Sequence, residues 1–346
     1  MAELPKTMNA WIITRAGKPT DVLKFRADWP TPPAPKAGEV LVRISYAALN
    51  PGDIKMMATI IPWKGKAIAG YDYAGEVIQV GPSTPTSAPD IRVGTIVAGT
   101  VPLPMLLTGY GTLVEYIVLP RDQVVEKPSG LSESVAAGIM GIAGQTAAAI
   151  VTAANLNSLH KGDKVLVNGA SGGVGSILIQ ALRGMGIQVM GVCSTKNVDL
   201  VLRLGGGEVL DYKAHESIYD HLSSIAADPT RGPFDAIIDC VGDDTLFHRS
   251  PGYLKVNGKF LSIEGGPLGH LTLKRLPAIL GGTPRGFVNV FSKPTPVSVN
   301  MVIGWIERGW MKELPVDSTF QMDDAIQAFE KLGTNRTVGK IFVKVA

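Results

Sequence analysis

The sequence predicts an α/β protein in two parts, a β-rich part and a doubly wound parallel sheet. Residues 8–119 contain short apolar runs punctuated by Gly and Pro, which is typical of a compact β-barrel-like domain. From residue 131 onward, apolar runs rich in β-branched residues alternate with helical segments, as in βαβ units. A Gly-rich turn at residues 169–175 stands between a strand and a helix of this second part.

The composition is that of an ordinary globular chain. Its 346 residues are enough for about two domains, 45% are hydrophobic, 18% are charged, and the formal net charge is +3. Because Lys and Arg form no run, we do not expect nucleic acid as a partner. Residues 135–159 are weakly charged but contain polar residues, so we expect a buried helix and no membrane partner.

The chain contains two cysteines, Cys193 and Cys240, and both are predicted to lie at the ends of buried strands. We therefore expect core packing and no disulfide. The N-terminal residues show neither an apolar core nor an Arg-rich amphipathic pattern, so no signal or transit peptide is expected. Together these features predict a cytoplasmic protein.

In the β-rich part, each predicted strand is an apolar run bounded by turn residues. Residues 22–35 become rich in proline, which suits an extended edge or a loop. The turn at residues 50–53, Asn-Pro-Gly-Asp, starts a short helix at 54–57. The predicted strands are residues 8–16, 39–47, a run that ends at 81, 91–98 and 111–119.

In the second part, Ser132 is expected to cap a helix that runs to about residue 140, and another helix spans roughly 145–154. Strands and helices then alternate, and the chain returns to a strand at its end. The predicted strands are residues 164–167, 187–192, 208–211, 234–240, 258–262, 287–291, 319–320 and 340–345, and the predicted helices are 176–185, 196–204, 216–227, 245–253, 297–310 and 322–332.

Residues 169–175, Gly-Ala-Ser-Gly-Gly-Val-Gly, occupy the strand-to-helix turn that binds dinucleotides in α/β proteins. Backbone N–H groups at a helix N-terminus bind a pyrophosphate only where no side chain holds it away. Gly172 permits this approach, and Gly175 permits close packing of the helix on the strand. The match is imperfect because Ala170 replaces the first glycine, so a tight turn without a ligand is the alternative.

The end of the next strand indicates which dinucleotide is bound. NAD sites usually place Asp or Glu about 20 residues after the turn, where it binds the ribose 2′-hydroxyl. This chain has Ser194, Thr195 and Lys196 there, which are two hydroxyls and an ammonium without a carboxylate to repel a 2′-phosphate. The segment predicts NADP(H), with an ordinary surface role for Lys196 as the alternative.

Several motifs in order resemble the medium-chain dehydrogenase/reductase superfamily. Within it, the chain resembles the zinc-free quinone oxidoreductases of the zeta-crystallin type and their enone and enoyl reductase relatives. The resemblance covers nearly the whole chain, and its motifs are residues 48–53, 70–77, 93–94, 111–116, 170–175 with Gln180, 211–212 and 339–340.

The resemblance implies a GroES-like β-barrel catalytic domain at residues 1–125 and 297–346, and an NADP(H)-binding Rossmann domain at 126–296. It also implies NADPH as the cofactor and a homodimer. The apolar strand at 287–291 is expected at a sheet edge, where it pairs with a second subunit or is covered by its own loop.

The resemblance also assigns cofactor contacts to individual residues of this chain. These are Asn50 and Thr146 at the nicotinamide end, Ser171, Gly172, Gly173 and Val174 at the pyrophosphate, Ser194, Thr195, Lys196 and Tyr212 at the 2′-phosphate, and Cys240, Val241, Gly242, Ile263, Val290, Phe291 and Asn335 elsewhere along the cofactor.

Zinc separates the branches of this superfamily. Its alcohol dehydrogenases place a cysteine ligand in the loop occupied here by residues 50–53, and Gly-His-Glu where this chain has Gly-Tyr-Asp at 70–72. No cysteine precedes Cys193, and the five histidines show no ligand spacing. We therefore expect no metal, and metal-assisted alcohol oxidation is disfavoured.

Without a metal, the chemistry expected is hydride addition from C4 of NADPH to an electrophilic small molecule, either an activated C=C bond or a quinone. Negative charge then develops on the substrate oxygen and requires hydrogen-bond donors. Asn50 is the candidate donor, with a turn role as its alternative, and Asp53 is a second catalytic candidate, with a helix cap as its alternative.

The substrate wall is expected to be apolar. Many relatives carry Tyr-Pro after the Asn-Pro-x-Asp helix, whereas residues 60–63 read Ile-Ile-Pro-Trp, so a tyrosine acid is in doubt. Tyr46 and Tyr71 remain candidates, although either would suit a core position. The expected wall, whose members would equally suit a core, is Met56, Met57, Met105, Leu106 and Leu107.

The favoured function is an NADPH-dependent, zinc-free reductase of enones, 2-alkenals or quinones. The alternative is an enoyl-thioester reductase for substrates carried by coenzyme A or a carrier protein, for which Lys55, Lys64 and Lys66 would supply a basic patch. A non-catalytic NADPH-binding protein is a third interpretation, which predicts nucleotide binding without turnover.

Overall fold

A computed structural model describes residues 4–59, 66–82, 90–153, 155, 161–264 and 273–346. The chain divides into two compact units. The β-rich unit comprises Met1–Gln145, Lys293–Ile303 and Val316–Ala346, and the parallel-sheet unit comprises Thr146–Ser292 and Gly304–Pro315.

The strands of the described residues are β1 (Thr7–Ile13), β2 (Leu23–Pro30), β3 (Glu39–Leu49), β4 (Ala67–Ile68), β5 (Asp72–Val80), β6 (Ile96–Thr100), β7 (Tyr116–Pro120), β8 (Val125–Glu126), β9 (Lys164–Asn168), β10 (Gln188–Cys193), β11 (Glu208–Asp211), β12 (Phe234–Asp239), β13 (Leu254–Ser262), β14 (Gly286–Asn289), β15 (Val316–Gln321) and β16 (Lys340–Lys344).

The α-helices are α1 (Pro19–Val22), α2 (Pro51–Ala58), α3 (Leu103–Leu107), α4 (Glu133–Ile139), α5 (Ile142–Ala153), α6 (Gly173–Gly184), α7 (Val198–Leu204), α8 (Ile218–Ala227), α9 (Asp244–Arg249), α10 (Pro296–Glu307) and α11 (Ala325–Gly333). The helices α5 and α10 each begin in the β-rich unit and end in the parallel-sheet unit.

The larger sheet of the β-rich unit is organised around β3. The strand order is β15-β16-β3-β5-β6-β8, and β7 pairs with the other end of β3. The strand β16 pairs antiparallel with β3, with Ile341 opposite Leu49. This pairing brings the start of β16 beside the residues that follow β3, which is where the candidate site lies.

The parallel-sheet unit contains a six-stranded sheet in the order β11-β10-β9-β12-β13-β14, and every neighbouring pair is parallel. The chain changes direction across the sheet between β9 and β12, which is the doubly wound topology of dinucleotide-binding folds. The continuous apolar run Val165, Leu166 and Val167 in β9 is completely buried, as expected for a strand covered on both faces.

The predicted fold class agrees with this architecture, since a β-rich unit accompanies a parallel sheet. The unit boundary lies after Gln145, although the sequence suggested a boundary after residue 125. The reason is that α4 packs on β3, β5 and β6. The segment Glu133–Ala153 is apolar and long enough to cross a membrane, but 78% of its most apolar window is buried, as in a core helix.

Most differences from the predicted elements are shifts of their ends. The expected helix at 54–57 begins earlier, because Pro51 is compatible with the first helical position and Asn50 precedes it in extended conformation. Asp53 therefore lies in the first turn of α2, where its side chain accepts from the backbone N–H of the N-cap residue Asn50 and completes a capping box. The expected N-cap Ser132 is confirmed, since its side chain accepts from Val135 N–H at the start of α4.

Gly175 fixes the distance between α6 and the turn after β9. A Cβ atom at this position would lie 2.2 Å from the carbonyl oxygen of Gly169 and 2.8 Å from Cα of Ala170. Both obstacles are backbone atoms that cannot rotate away. The close packing predicted for this glycine is therefore present.

We expect Gly175→Ala to lower the free energy of unfolding by about 1–3 kcal/mol, because the helix must move away from the sheet. Gly207→Ala is the matched control, since the added Cβ would meet only the oxygen of Val189, at 3.6 Å. Denaturant titration of both variants tests this, and equal stabilities would show that the turn adjusts without cost.

Candidate active site

Four buried side chains meet where β3, α2, β5 and β16 come together. Asn50 and Asp53 lie at the start of α2, Asp72 begins β5 and Lys340 begins β16. None of the four is more than 5% exposed. We call these four residues the buried charge cluster, and it brings together both side chains that the sequence suggested as catalytic.

Asp72 is the carboxyl group of the cluster that accepts the most hydrogen bonds. Its Oδ1 accepts from the Thr100 hydroxyl at 2.6 Å and from the backbone N–H of Ile142 at 2.8 Å. Its Oδ2 accepts from Asn50 Nδ2 at 2.8 Å and lies 3.5 Å from Lys340 Nζ. Burial raises the pKa of Asp72, but three donors and a cation favour its ionised form.

Asp53 has a much poorer environment. Its Oδ2 accepts from the backbone N–H of Asn50 at 2.6 Å, whereas its Oδ1 has no hydrogen-bond partner among the described residues. Burial, together with the negative charge of Asp72, raises the pKa of Asp53 to about 8. Asp53 is therefore the carboxyl group that retains its proton at neutral pH.

Lys340 supplies the positive charge of the cluster. Its Nζ donates to Asn50 Oδ1 at 2.6 Å and to the carbonyl oxygen of Leu49 at 2.9 Å. Burial lowers the pKa of Lys340, and the neighbouring Asp72 and Asp53 oppose that shift. The hydrogen bonds and the carboxylate compensate an ammonium that is only 3% exposed.

This arrangement does not suit a zinc ion. The positions that hold zinc ligands in the alcohol dehydrogenases carry Asn50, Tyr71 and Asp72, and the Lys340 ammonium already contacts the oxygen of Asn50. The described residues contain no group of three His, Cys, Asp or Glu side chains placed to hold a metal. The Lys340 ammonium thus already contacts the side-chain oxygens of Asn50 and Asp72, which a zinc ion at this position would need as ligands.

Asn50 does not have the free donors that the sequence analysis expected. Its Nδ2 donates to the oxygen of Ala48 at 3.2 Å and to Asp72 Oδ2, and its Oδ1 accepts from Lys340. Both amide hydrogens are engaged, so a hydrogen bond from Asn50 to a substrate would require one of these bonds to break. In this geometry Asn50 connects Asp72 to Lys340.

A small cavity opens beside the cluster within the β-rich unit. It encloses about 20 Å³, which is room for one water molecule. Asp53 and Tyr71 contribute polar groups, and Met56, Met57 and Leu106 from the predicted apolar wall also line it. The Tyr71 hydroxyl donates to the carbonyl oxygen of Gly52 at 3.0 Å. Burial raises the pKa of Tyr71 above its ordinary value.

The parallel-sheet unit gathers most of the predicted cofactor residues at one edge. They follow the carboxyl ends of successive parallel strands, the edge where α/β proteins bind ligands. The residues are Ser171, Gly172, Gly173 and Val174 after β9, Ser194, Thr195 and Lys196 after β10, Tyr212 after β11, Cys240, Val241 and Gly242 after β12, Ile263 after β13, and Val290 and Phe291 after β14.

The turn after β9 fits a bound pyrophosphate. Gly172 precedes α6 in extended conformation, and the helix runs for 12 residues, so unpaired N–H groups of its first turn are available for an anion. Asn197 Nδ2 donates to the hydroxyls of Ser171 at 3.0 Å and Ser194 at 3.3 Å. Asn197 was missed in the sequence, because nothing local marks it as a link between two turns.

Asp239 holds the neighbouring turn. Its carboxylate accepts from the backbone N–H groups of Val241, Gly242 and Asp243 and from Nδ2 of Asn168. It is completely buried at the point where the sheet changes direction, and burial raises its pKa. Its position at the end of β12 could have been recognised in the sequence, because ligand sites of α/β proteins lie where the strand order reverses.

The sequence predicted no carboxylate near the 2′-phosphate position, but Asp211 lies there. It lies beside Cys193 in the next strand, and its carboxylate hydrogen-bonds the Thr195 side chain, which lowers its pKa. Lys196 and Tyr212 are exposed at the same edge. A carboxylate is therefore present after all, although it comes from the neighbouring strand and not from the expected segment.

Two predicted residues belong neither to the buried charge cluster nor to the turns at this edge. Thr146 is 8% exposed at the first residue of the parallel-sheet unit, within α5. Asn335 is exposed in the β-rich unit, where its φ of 55° places it in the left-handed region. The edge of the parallel sheet includes neither of them.

We expect Lys340→Met to destabilise the β-rich unit by about 3–5 kcal/mol, because the Asp72 carboxylate loses its buried cation. The control Arg43→Met breaks a pair with Glu76 in which the two side chains are 51% and 32% exposed, and should cost at most about 1 kcal/mol.

The double variant Lys340→Met/Asp72→Asn tests whether the two charges are coupled. It should be more stable than Lys340→Met alone in thermal and denaturant unfolding, because the uncompensated charge is gone. Additive losses in the double variant would contradict the ion pair.

Comparisons with known proteins agree with this architecture. Residues 36–129 match the alcohol dehydrogenase GroES-like domain family, and residues 192–343 match the zinc-binding dehydrogenase family. The medium chain reductase pydE of an Acremonium species is 32% identical, over 99% of this chain and 100% of that protein. The trans-enoyl reductase pgmF of Aspergillus terreus is 33% identical, over 99% and 97%.

Solved structures show the same fold. The quinone oxidoreductase from Coxiella burnetii superposes with a TM-score of 0.79 at 26% identity, covering 99% of this chain and 100% of that one. A mycobacterial protein complexed with NADPH superposes with a TM-score of 0.79 at 24% identity, covering 98% and 100%.

Full-length matches at this identity are sufficient to assign a family. The chain is an oxidoreductase that belongs to the medium-chain dehydrogenase/reductase superfamily, in its zinc-free branch of quinone oxidoreductases and enoyl reductases.

Proposed function

We propose that the protein is an NADPH-dependent reductase that transfers hydride, without a metal, to an activated C=C bond of an enone or 2-alkenal, or to a quinone. The observation that carries this proposal is the Lys340 ammonium, which contacts Asn50 where a zinc ligand would lie. A lysine ammonium provides no Lewis acid for an alkoxide, which favours an acceptor that is already electrophilic, such as an enone or a quinone.

NADPH would be held by the carboxyl edge of the parallel sheet and, when bound, supplies the hydride. The first turn of α6 favours the pyrophosphate through its N–H groups and its dipole. Asn197 fixes the hydroxyls of Ser171 and Ser194, and so sets the distance between the pyrophosphate and adenosine positions. Asp239 orders the turn at 240–243 beside them.

The preference for NADPH over NADH rests on opposing charges at one edge. Lys196 and the hydroxyl of Tyr212 would bind the 2′-phosphate, whereas the ionised Asp211 would repel it. The mycobacterial protein complexed with NADPH supports the proposal at the level of the fold. We infer a preference for NADPH that Asp211 weakens.

Reduction of an enoyl thioester is the second candidate, and the trans-enoyl reductase of Aspergillus terreus is the specific observation that favours it. Of the predicted apolar wall, Met57 and Leu106 belong to the buried core, whereas Leu107 is exposed and Met56 and Met105 are half-buried. An acyl chain would suit these last three side chains. Of the basic patch expected at a pocket mouth, Lys66 is exposed, and Lys64 lies outside the described residues.

We further propose a cytoplasmic homodimer that pairs through β14. This strand is last in the order of its sheet and pairs with β13 on one side. Pairing with a second copy would protect the other side. Phe291, which follows the strand, is 37% exposed and would be covered in the same contact.

The experiment that tests the function is NADPH oxidation at 340 nm by chelator-treated protein. The acceptors are a quinone, a cyclic enone, a 2-alkenal, and crotonyl thioesters on coenzyme A and on a carrier protein. Turnover of quinones or free enones supports the first candidate, and turnover of thioesters alone supports the second. Nucleotide binding without turnover of any acceptor would contradict both and favour a non-catalytic role.

Lys196→Ala should raise the KM for NADPH roughly tenfold and leave the KM for NADH nearly unchanged, since one charged hydrogen bond to the 2′-phosphate is lost. Asp211→Asn should act in the opposite direction and lower the KM for NADPH. Lys161→Ala is the control, because Lys161 is exposed before β9 at the opposite edge of the sheet. Equal effects of Lys196→Ala on both cofactors would remove the 2′-phosphate assignment.

A further inference from the structure

Asp53 is the member of the buried charge cluster in which three features come together. Its side chain is 1% exposed, its Oδ1 has no hydrogen-bond partner among the described residues, and it lines the small cavity of the β-rich unit. A buried polar atom without a partner costs about 1–3 kcal/mol. Such an atom beside a cavity of sufficient size is explained by a molecule that the cavity receives.

The position of the proton on Asp53 follows from its hydrogen bonds. Oδ2 accepts from the Asn50 N–H, so it is the carbonyl-like oxygen, and the proton lies on Oδ1. Two buried carboxyl groups face one ammonium, and Asp72 with its three donors is the one that ionises. A neutral Asp53 therefore balances the charge of the cluster.

The cavity brings this acid beside part of the predicted apolar wall. Asp53 and Tyr71 line it together with Met56, Met57 and Leu106, and the other lining residues are Ile13, 67–70 and Tyr110. The Tyr71 hydroxyl already donates to the Gly52 oxygen, and burial raises its pKa beyond its ordinary value. The carboxyl group of Asp53 is thus more acidic than the hydroxyl group of Tyr71.

We propose that Asp53 donates the proton that completes reduction of a C=C substrate, through one water molecule held in the cavity. The inference rests on the function proposed above. Hydride adds to the β-carbon and leaves an enolate, and the water protonates the α-carbon. The same water takes the proton from Asp53 Oδ1, whose carboxylate then accepts from the Asn50 N–H and regains a proton from solvent.

A quinone does not need this donor. Hydride addition to a quinone gives a hydroquinone anion, and the anion is protonated on oxygen, a fast step with bulk water. The role of Asp53 therefore predicts a difference between substrate classes, whereas a structural role predicts equal losses for both.

Asp53→Asn is the decisive variant. Asparagine has the shape of the neutral acid and keeps an oxygen for the Asn50 N–H, but its amide hydrogen does not transfer. With an enone, kcat should fall about 10²-fold, which is an ordinary contribution of a general acid, while quinone reduction changes less than about threefold. Unfolding temperature and NADPH affinity, measured alongside, should remain close to those of the original protein.

The pH profile provides an independent readout. The charged groups that act on Asp53 are Asp72 on β5 and Lys340 on β16, and Tyr71 and Tyr110 are the other titratable side chains on the cavity. Because the acid form is required, kcat for the enone should be constant below a pKa of about 8 and fall above it. The Asp53→Asn variant should lack this decline.

Reduction of an enone in D₂O tests the face from which the proton arrives. The original protein should place deuterium on one face of the α-carbon, and Asp53→Asn should give a mixture. Equal loss of quinone and enone turnover with unchanged stereochemistry would overturn the role of Asp53. If the original protein reduces neither substrate, the function proposed above fails instead.

Discussion

The ion pair between Lys340 and Asp72 is the interaction on which the β-rich unit depends. It joins the first residue of β16 to the first residue of β5, and Asn50 connects the two side chains. In an apolar interior each charge alone would be very unfavourable, so the three strands must come together in one register. The register of the β16–β3 pairing therefore determines both the fold of the unit and the charge of its candidate site.

The parallel-sheet unit forms its candidate site through strand direction. Because its six strands are parallel, their carboxyl ends lie at one edge, and the turns that follow the strands come together there. Few polar side chains then set the details. Asn197 connects two turns, and Asp239 gathers the N–H groups of a third. These contacts order the turns at the edge that we propose as the cofactor site.

The sequence predicted the parts of this protein that are determined locally. The alternation of apolar runs and helical segments predicted the parallel sheet, and the Gly-rich turn lies between a strand and a helix of that sheet, as predicted. Asn50 was predicted as a hydrogen-bond donor to the substrate, but its hydrogen bonds to Asp72 and Lys340 join residues 22 and 290 positions apart. No local pattern reveals such contacts. Asp211 was missed for the same reason, because it approaches Thr195 through strand pairing and not through sequence spacing.

The separation between Asn50 and Lys340 also has a consequence for how the chain folds. The β-rich sheet lacks β16 until nearly the whole chain has been synthesised, because the parallel-sheet unit intervenes. Until then Asp53 on α2 and Asp72 on β5 lack their cation, and the end of β3 that pairs with β16 has no partner on that edge. Contacts of such high sequence separation form slowly and expose partly folded states to aggregation. The parallel-sheet unit, whose strands are nearly continuous in sequence, can fold first and leave closure of the β-rich unit as the last event of maturation.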